Sequence, residues 1–313
     1  MESMRAIRFH SYGGPEVLVL EETPRPEARK GEVLIRVYGA GVNPLDWKVR
    51  AGHVKGWLQH QLPLIPGWDV SGVVEEVASD VSAFKVGDEV YGMLNFMNDG
   101  AYAEYVAAEI AHLALKPASI DHVKAGAVPL TSLTAWQSLF EVAGLKSGQT
   151  VLIHAAAGGV GHFAVQFARW KEAIVIGTAS SGNERFLREL GVDEVIDYGT
   201  RKFEETMHDV DVVLDPIGGD TQRRSWQVLK KGGILVGTLG ISSPEAARKY
   251  GVRGEGVVVR PDAAQLSQIA ALIDAGKVKP VVTSILPLAQ AAKAHEMSQN
   301  GHVRGKIVLQ VAG

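Results

Sequence analysis

The stretch Thr150-Val-Leu-Ile-His-Ala-Ala-Ala-Gly-Gly-Val-Gly161 places an apolar run directly before a glycine-rich loop. In a nucleotide-binding loop of this kind, Gly158 would let the backbone approach a pyrophosphate, and Gly161 would let the next helix pack tightly on the strand. The first glycine of the usual GxGxxG pattern is Ala156 here, which gives AxGxxG. The loop alone is a weak signal, because glycine-rich turns often merely end strands. The strands and helices predicted around the loop therefore decide whether it is interpreted as a nucleotide-binding loop.

An alternation of strands and helices surrounds this loop. The apolar runs after residue 121 are Val151–His154, Ile174–Thr178, Glu194–Ile196, Val210–Leu214, Ile234–Leu239 and Val257–Val259. Near-continuous apolar strands between helical segments indicate a parallel sheet covered on both faces. Six such strands match a doubly wound dinucleotide-binding sheet, with the phosphates at the N-terminus of the helix after the first strand. We therefore expect pyrophosphate contacts from Gly158, Gly159, Val160 and Gly161.

The end of the second strand bears on the choice of cofactor. An NAD enzyme carries an acidic residue there to bind the ribose 2′-hydroxyl, whereas this chain has no carboxylate at the strand tip. The side chains that could bind a 2′-phosphate instead are Ser180, Ser181, Asn183 and Arg185. The serines could also cap the following helix, and the two roles are compatible. The pattern favours NADPH over NADH.

The remainder of the chain has a different texture. Residues 4–106 contain short strands separated by turns and long connections, which suggests an antiparallel barrel or sandwich. The final apolar strand, Lys306–Val311, is expected to return to this N-terminal part. We therefore predict a discontinuous domain of residues 1–121 and 262–313, and a dinucleotide-binding domain of residues 122–261.

Composition excludes several kinds of site. The chain has 313 residues and no cysteine, so it cannot form disulfides, thiolate nucleophiles or cysteine-ligated zinc and iron–sulfur sites. Its 32 basic residues are scattered and its net charge is −3, which argues against nucleic-acid binding. No apolar run approaches the roughly 18 residues of a membrane span, and the N-terminus lacks a signal-peptide layout. These features predict a cytoplasmic protein.

Several segments, taken together, are typical of one family, and they run nearly from end to end. They are Gly41-Val-Asn-Pro-Leu-Asp-Trp-Lys-Val-Arg-Ala-Gly52, Pro63-Leu-Ile-Pro-Gly-Trp-Asp-Val-Ser-Gly72, Gly87-Asp-Glu-Val-Tyr-Gly92, Gly100-Ala-Tyr-Ala-Glu-Tyr105, Leu133-Thr-Ala-Trp136, Ala155–Gly161, Val213-Leu-Asp-Pro-Ile-Gly-Gly219 and Gly305-Lys-Ile-Val-Leu309. The chain resembles the medium-chain dehydrogenase/reductase superfamily, in its zinc-free quinone oxidoreductase branch. The segment Asn43 to Arg50 is most similar to the alkenal and enone reductases.

This resemblance implies a fold and an activity. The fold would be α/β, with a GroES-like β-rich catalytic domain and a Rossmann domain built on a doubly wound, parallel six-stranded sheet. The activity would be NADPH-dependent reduction of small-molecule quinones or of the double bond of α,β-unsaturated carbonyls. The implied cofactor contacts are Thr134 near the nicotinamide, Ser180, Ser181 and Tyr198 near the 2′-phosphate, and the backbone near Leu239. Relatives often have lysine where this chain has Asn183, and Arg185 is a possible substitute.

The same resemblance implies a site without metal. In the superfamily's zinc alcohol dehydrogenases, cysteines and a His-Glu pair hold the catalytic ion. Here Asn43 lies in the segment of the first cysteine, and Trp68-Asp69 replaces His-Glu. The candidate catalytic residues are Asn43, as hydrogen-bond donor to the substrate oxygen, and Lys48, as cation or proton source.

Other interpretations remain open. Lys48 could equally be a solvated surface lysine, and structural hydrogen bonding is the favoured role for Asp46 and Asp69. The chain could also be a non-enzymatic NADPH-binding sensor or structural protein, or an enoyl-thioester reductase. Finally, an apolar edge strand at Val257–Val259 would need cover, and the resemblance to the family implies that two such edges pair across a twofold axis, so we predict a homodimer formed through that edge.

Overall fold

The computed structural model describes residues 2–312, so the outer limits of the predicted first domain, 1 and 313, lie outside it. The chain forms two compact units. The first unit consists of Met1–Leu130 with Pro261–Gly313, and the second unit of Thr131–Arg260.

The N-terminal part of the first unit is rich in strands. Its elements are β1 (Ser3–Arg8), β2 (Val19–Pro24), β3 (Glu32–Val42), α1 (Pro44–Arg50), β4 (Asp69–Val77), β5 (Glu89–Met93), β6 (Tyr105–Glu109), β7 (Leu113–Leu115) and α2 (His122–Gly126). Helix α3 (Pro129–Trp136) follows, and a π-helical turn, Gln137–Val142, continues it. Strand β3 is buried on both faces over part of its length, because Val33, Ile35 and Val37 are buried on one face and Leu34 on the other.

The second unit alternates strands and helices. Its elements are β8 (Thr150–Ile153), α4 (Gly159–Trp170), β9 (Ile174–Ala179), α5 (Glu184–Leu190), β10 (Glu194–Asp197), α6 (Phe203–Thr206), β11 (Val210–Asp215), α7 (Gly219–Ser225), β12 (Leu229–Gly237), α8 (Pro244–Tyr250) and β13 (Arg253–Gly256). The six strands are all parallel and lie in the order β10-β9-β8-β11-β12-β13. Counted along the chain, this is the order 3-2-1-4-5-6 of a doubly wound dinucleotide-binding sheet. The predicted fold class is confirmed.

The C-terminal part completes the sheet of the first unit. It contains α9 (Ala263–Asp274), β14 (Val282–Pro287), α10 (Ala291–Asn300) and β15 (Lys306–Gln310). The sheet has the order β14-β15-β3-β4-β5-β7, and β6 pairs with β3 as well. Strand β15 pairs antiparallel with β3, with Ile307 opposite Val42, which brings Lys306 beside the end of β3. Strands β1 and β2 form a separate two-stranded ribbon.

Each unit has an apolar core. Phe9, Ile35, Trp68 and Leu309 belong to the core of the first unit. The β-sheet of the second unit packs Leu152, Val213, Leu235 and Trp226 into another cluster. Across residues 2–312, none of the helices has both the length and the apolar character needed to cross a bilayer.

The sixth strand of the second unit differs from its predicted position. It is formed by Arg253–Gly256 and not by the apolar run Val257–Val259. Gly254 lies against the Trp226 indole, where a Cβ atom would come within 2.6 Å of the ring, so close packing requires glycine there. The apolar run lies beyond the strand, and Val258 is 68% exposed. The prediction was wrong because it followed the apolar residues, whereas the position of the strand depends on a glycine that packs against Trp226.

Candidate functional site

The glycine-rich loop joins β8 to α4 in a tight turn. Ala155 has a left-handed φ of 47°, and Gly158 closes the turn by donating its N–H to the Ala155 carbonyl at 2.8 Å. A Cβ atom at Gly161 would lie 2.2 Å from that same carbonyl oxygen. Helix α4 therefore starts directly on the loop, with Gly158 as an N-cap that places no side chain over its first N–H groups. Such a helix N-terminus is suited to an anionic phosphate.

The alanine at the first position of the motif is accommodated by a second glycine. Ala156 donates its N–H to the carbonyl of Thr178, which places it beside β9 at 3.0 Å. Gly177 of β9 faces the Ala156 methyl group, and a Cβ atom at Gly177 would lie 2.8 Å from it. The AxGxxG loop thus keeps the shape of a nucleotide-binding loop because β9 carries no side chain at this point. The loop geometry fits a pyrophosphate.

Three of the predicted 2′-phosphate residues come together at the ends of β9 and β10. The Asn183 amide donates to the Ser180 hydroxyl oxygen at 3.0 Å. Tyr198 donates its backbone N–H to the Ala179 carbonyl at 3.2 Å, so the tip of β10 lies beside Ser180. Ser180 begins a short 3-10 turn but makes no side-chain capping bond there. A capping role for Ser180 is therefore not supported.

The other two residues predicted to bind the 2′-phosphate, Ser181 and Arg185, are exposed, and Arg185 is bonded to another side chain. Arg185 donates from Nε to Glu189 one turn further along α5, at 2.9 Å, and its side chain is 93% exposed. Ser181 is exposed in the 3-10 turn. Arg185 would have to leave Glu189 to reach a phosphate on Ser180.

The remaining predicted cofactor residues lie in separate places within the second unit. Thr134 is buried on α3. Leu239 follows β12 and is 57% exposed. The nearby loop after β11 is held by buried Asp215, whose carboxylate accepts the N–H groups of Ile217 and Gly218 at 2.9 Å.

His154 lies next to the glycine-rich loop and forms hydrogen bonds through both ring nitrogens. Its Nδ1 lies 3.0 Å from the Thr178 hydroxyl and its Nε2 lies 2.9 Å from the Ser225 hydroxyl. Ser225 donates its own proton to the Thr221 carbonyl, so the histidine Nε2–H must donate to Ser225. Burial lowers the pKa of His154 to about 4, which keeps the ring neutral. His154 therefore has a structural role, linking β9 and α7.

Both predicted catalytic residues belong to the short helix α1 of the first unit. Asn43 caps the helix, Pro44 is its first residue, and the Asp46 carboxylate accepts the Asn43 N–H at 2.7 Å. The pattern Asn-Pro-x-Asp is a recognisable helix start, although we did not predict this helix. Lys48 is half-buried, and burial lowers the pKa of its ammonium. Its ammonium forms no hydrogen bond or ion pair with any residue in the described range, and the Nζ atom lies 5.7 Å from the Trp47 ring centre.

Asn43 does not have the environment predicted for it. The side chain is completely buried, and its Nδ2 donates to the Asp69 carboxylate at 2.8 Å. Its Oδ1 accepts a hydrogen bond from the ammonium of Lys306. The structure therefore does not support Asn43 as a direct donor to substrate. Lys306 was missed, although a lysine opening an otherwise apolar strand was a visible signal.

The Asp46 carboxyl group lies among these buried polar side chains. It is fully buried, and its Oδ2 also accepts the Tyr102 hydroxyl at 2.9 Å. Its Oδ1 has no partner among residues 2–312. Burial, which disfavours the charged form, raises the pKa of Asp46 to about 7, against a smaller opposing effect of these hydrogen bonds.

We expect the effect of Asp46→Asn on stability to become more favourable as pH rises. A folded-state pKa above the unfolded value means that Asp46 favours folding in acid and loses this contribution as pH rises toward about 7. The amide introduced by this substitution would keep an acceptor for the Asn43 N–H and carry no charge. The gain over wild type should grow by about 1–4 kcal/mol between about pH 4 and pH 8. Thermal unfolding across this range, with exposed Glu245→Gln as control, checks it. A pH-independent difference would refute the account.

Two family models match the chain. The model of the alcohol dehydrogenase GroES-like domain matches residues 29–118. A model described as zinc-binding dehydrogenase matches residues 190–309.

Known proteins similar over the whole chain include two plant reductases. The 2-methylene-furan-3-one reductase of Solanum lycopersicum is 35% identical, with 98% of this chain and 79% of that protein covered. The chloroplastic NADPH-dependent alkenal/one oxidoreductase of Arabidopsis thaliana is also 35% identical, with 98% and 80% covered. Among solved structures, the quinone oxidoreductase from Coxiella burnetii has a TM-score of 0.93 and 37% identity, covering 99% of this chain and 100% of that one.

Proposed function

Because this chain belongs to the medium-chain dehydrogenase/reductase superfamily, among its quinone and alkenal oxidoreductases, we propose that it is an NADPH-dependent, zinc-independent reductase. Its substrates would be quinones or the double bond of α,β-unsaturated carbonyls. The observation that carries the proposal is a glycine-rich loop packed tightly on the start of α4, in a chain without a single cysteine.

The cofactor proposal rests on the second unit. Bound NADPH would supply the hydride. The pyrophosphate would lie on Gly158, Gly159, Val160 and Gly161 at the start of α4, and Thr134 and the backbone near Leu239 would contact the nicotinamide half. The 2′-phosphate would lie on Ser180, Asn183 and Tyr198, with Ser181 and Arg185 as further donors. The meeting of Ser180, Asn183 and Tyr198 at one edge of the sheet supports this assignment.

A carboxylate at the tip of β9 should reverse the preference for NADPH. In Ser180→Asp, the acid would repel a 2′-phosphate and could accept a hydrogen bond from a ribose 2′-hydroxyl. We expect the ratio of NADPH to NADH affinity to fall by about tenfold or more. Fluorescence titration with both cofactors measures it, and Ser267→Asp on the surface of α9 serves as control. An unchanged ratio would remove the 2′-phosphate from this position.

The residues of this chain do not fit a zinc ion. Cysteine is absent, and within residues 2–312 no group of three or more His, Cys, Asp or Glu side chains could hold a metal. Asn43 and Asp69, which the family resemblance aligns with segments that carry zinc ligands in the zinc enzymes, are hydrogen-bonded to each other and to Lys306. We therefore derive no step through zinc.

Without a metal, the substrate must already be activated. In a quinone or an enone the conjugated carbonyl draws electron density from the carbon that accepts hydride. What the protein must add is orientation, stabilisation of the developing enolate and a proton. We propose that Lys48 supplies the proton, because its pKa is lowered and no carboxylate in the described range neutralises its ammonium.

The experiment that tests the proposal is a substrate panel. Loss of NADPH absorbance would be followed with quinones, short enals and enones, and a crotonyl thioester, with and without a chelator. We expect turnover of quinones or enones that the chelator does not reduce. Cofactor binding without turnover on any substrate would favour a sensor or structural role, and turnover of the thioester alone would favour an enoyl-thioester reductase.

We also propose a homodimer, now through β13. This strand is at the edge of the sheet, and the exposed Val258 follows it. Light scattering on a gel-filtered sample tests this, and a monomer at micromolar concentration would reject it. A cytoplasmic location remains a prediction from the sequence.

A further inference from the structure

A single buried lysine lies at the centre of the polar cluster in the first unit. Lys306 opens β15 and is only 3% exposed. Its Nζ donates to the Val42 carbonyl at 3.1 Å, to the Asn43 Oδ1, and to the Asp69 Oδ2 at 3.3 Å. An ammonium has three protons to donate, and here three acceptors are provided. The cation is fully satisfied without water.

The acceptors of this ammonium are themselves linked. Asp69 is completely buried, and its Oδ2 receives the Asn43 Nδ2 as well as Lys306. Its other oxygen accepts the backbone N–H of Leu130 at 2.6 Å. Without Lys306 the carboxylate would be a buried charge with no counter-ion, which is strongly unfavourable. Lys306 and Asp69 therefore depend on each other, and Asn43 bridges them.

This cluster lies at the beginning of α1. Asn43 is the N-cap of the helix, and Lys48 lies one turn after its first residue, Pro44. The other end of α1 is held separately, because Arg50 donates to the Gln299 side chain of α10 at 3.1 Å. The orientation of the first turn thus depends on the Asn43 amide, and the amide depends on Lys306 and Asp69.

We propose that the buried ammonium of Lys306 positions Lys48 by fixing the Asn43 side chain at the start of α1. The proposal rests on the proposed function for the role of Lys48. Lys306 is a positioning residue, since it is enclosed and bonded only to protein atoms. Its charge is the counter-ion of Asp69 and holds the Asn43 side chain in place.

The first test follows the helix and needs no substrate. In Lys306→Met the side chain keeps a similar length and loses its charge and donors. We expect amide hydrogen exchange of residues 44–50, measured by mass spectrometry, to become faster by about tenfold or more, while exchange of the second unit and the Kd of NADPH stay unchanged. Lys202→Met, which removes an exposed partner of Glu205, is the matched control. Unchanged exchange of residues 44–50 would overturn the proposal.

The second test asks whether Lys306 acts through Lys48. We expect Lys306→Met to lower kcat by about 10- to 100-fold and to change the alkaline limb of the pH profile that belongs to Lys48. In a variant that already carries Lys48→Met, adding Lys306→Met should lower kcat little further, because the ammonium that Lys306 positions is already absent. Losses that multiply in the double variant would show that Lys306 acts independently of Lys48, and would overturn the proposal.

A third variant tests the proposal even if Lys306→Met alone fails to fold. Lys306→Met combined with Asp69→Asn removes both buried charges and leaves a neutral cluster, a change that proteins often tolerate. We expect this variant to fold and to bind NADPH, yet to show fast exchange at residues 44–50. Wild-type exchange there would contradict the proposal. Should the wild-type chain reduce no quinone or enone, the proposed function fails, while the exchange measurements still decide the role of Lys306.

Discussion

Replacing Gly161 with alanine is expected to weaken the binding of NADPH strongly. The added Cβ atom would lie 2.2 Å from the Ala155 carbonyl oxygen and 2.7 Å from the Ala156 Cα atom, both of them backbone atoms that no rotamer change can move. Either α4 must move away from the loop or the turn at Ala155 must open, and both displace the N–H groups that would receive the pyrophosphate. We expect affinity to fall by about 100-fold, equivalent to about 2.8 kcal/mol.

The measurement is a fluorescence titration of NADPH, paired with thermal unfolding. Gly56→Ala is the matched control, because no atom lies within 4 Å of the Cβ position at Gly56 and its backbone is not left-handed. The control should bind NADPH like the wild type. If Gly161→Ala also bound NADPH with wild-type affinity, the loop before α4 would not be the pyrophosphate site.

Replacing Lys48 with methionine is expected to lower kcat by about 100-fold, in the range typical for loss of a positioned proton donor. The ammonium is half-buried, has no ion-pair partner in the described chain, and gives up its proton more readily because burial lowers its pKa. Proton donation requires the charged form. The rate should therefore fall as pH rises through the pKa of Lys48, and the variant should lack this alkaline limb.

Two companion variants make the result interpretable. Lys48→Arg keeps the positive charge but cannot release a proton at ordinary pH, so it should be nearly as slow as Lys48→Met. Lys202→Met removes a surface ammonium and should match the wild type. Full activity of Lys48→Met, measured by steady-state kinetics at saturating NADPH, would mean that the proton comes from water or the cofactor ribose.

The second unit could be predicted from sequence because its information is local. An apolar run, a glycine-rich turn and a helix follow one another within Thr150–Trp170, and each is recognisable on its own. The sixth strand was misplaced because its position depends on Gly254 packing against Trp226. That contact joins residues far apart in the chain, and no periodicity along the sequence encodes it.

The cluster in the first unit could be predicted only in part. Asn43 and Lys48 were found by resemblance, and the structural role favoured for Asp46 and Asp69 matches their buried hydrogen bonds. The burial of Asn43 was not foreseen, because it depends on Lys306, which β15 brings back to β3 from the far end of the chain. In the sequence, the only sign of this long-range strand pairing is a lysine next to an apolar run.

In the proposed reaction, hydride goes to a carbon activated by its own conjugated carbonyl, with no metal involved. The most direct measurement uses NADPH deuterated at the transferable position, a simple enone, and mass spectrometry and NMR of the product formed in the presence of a chelator. We expect a saturated ketone with deuterium at the β-carbon. An allylic alcohol with deuterium on the carbinol carbon, or a reaction that stops when metal is removed, would contradict it.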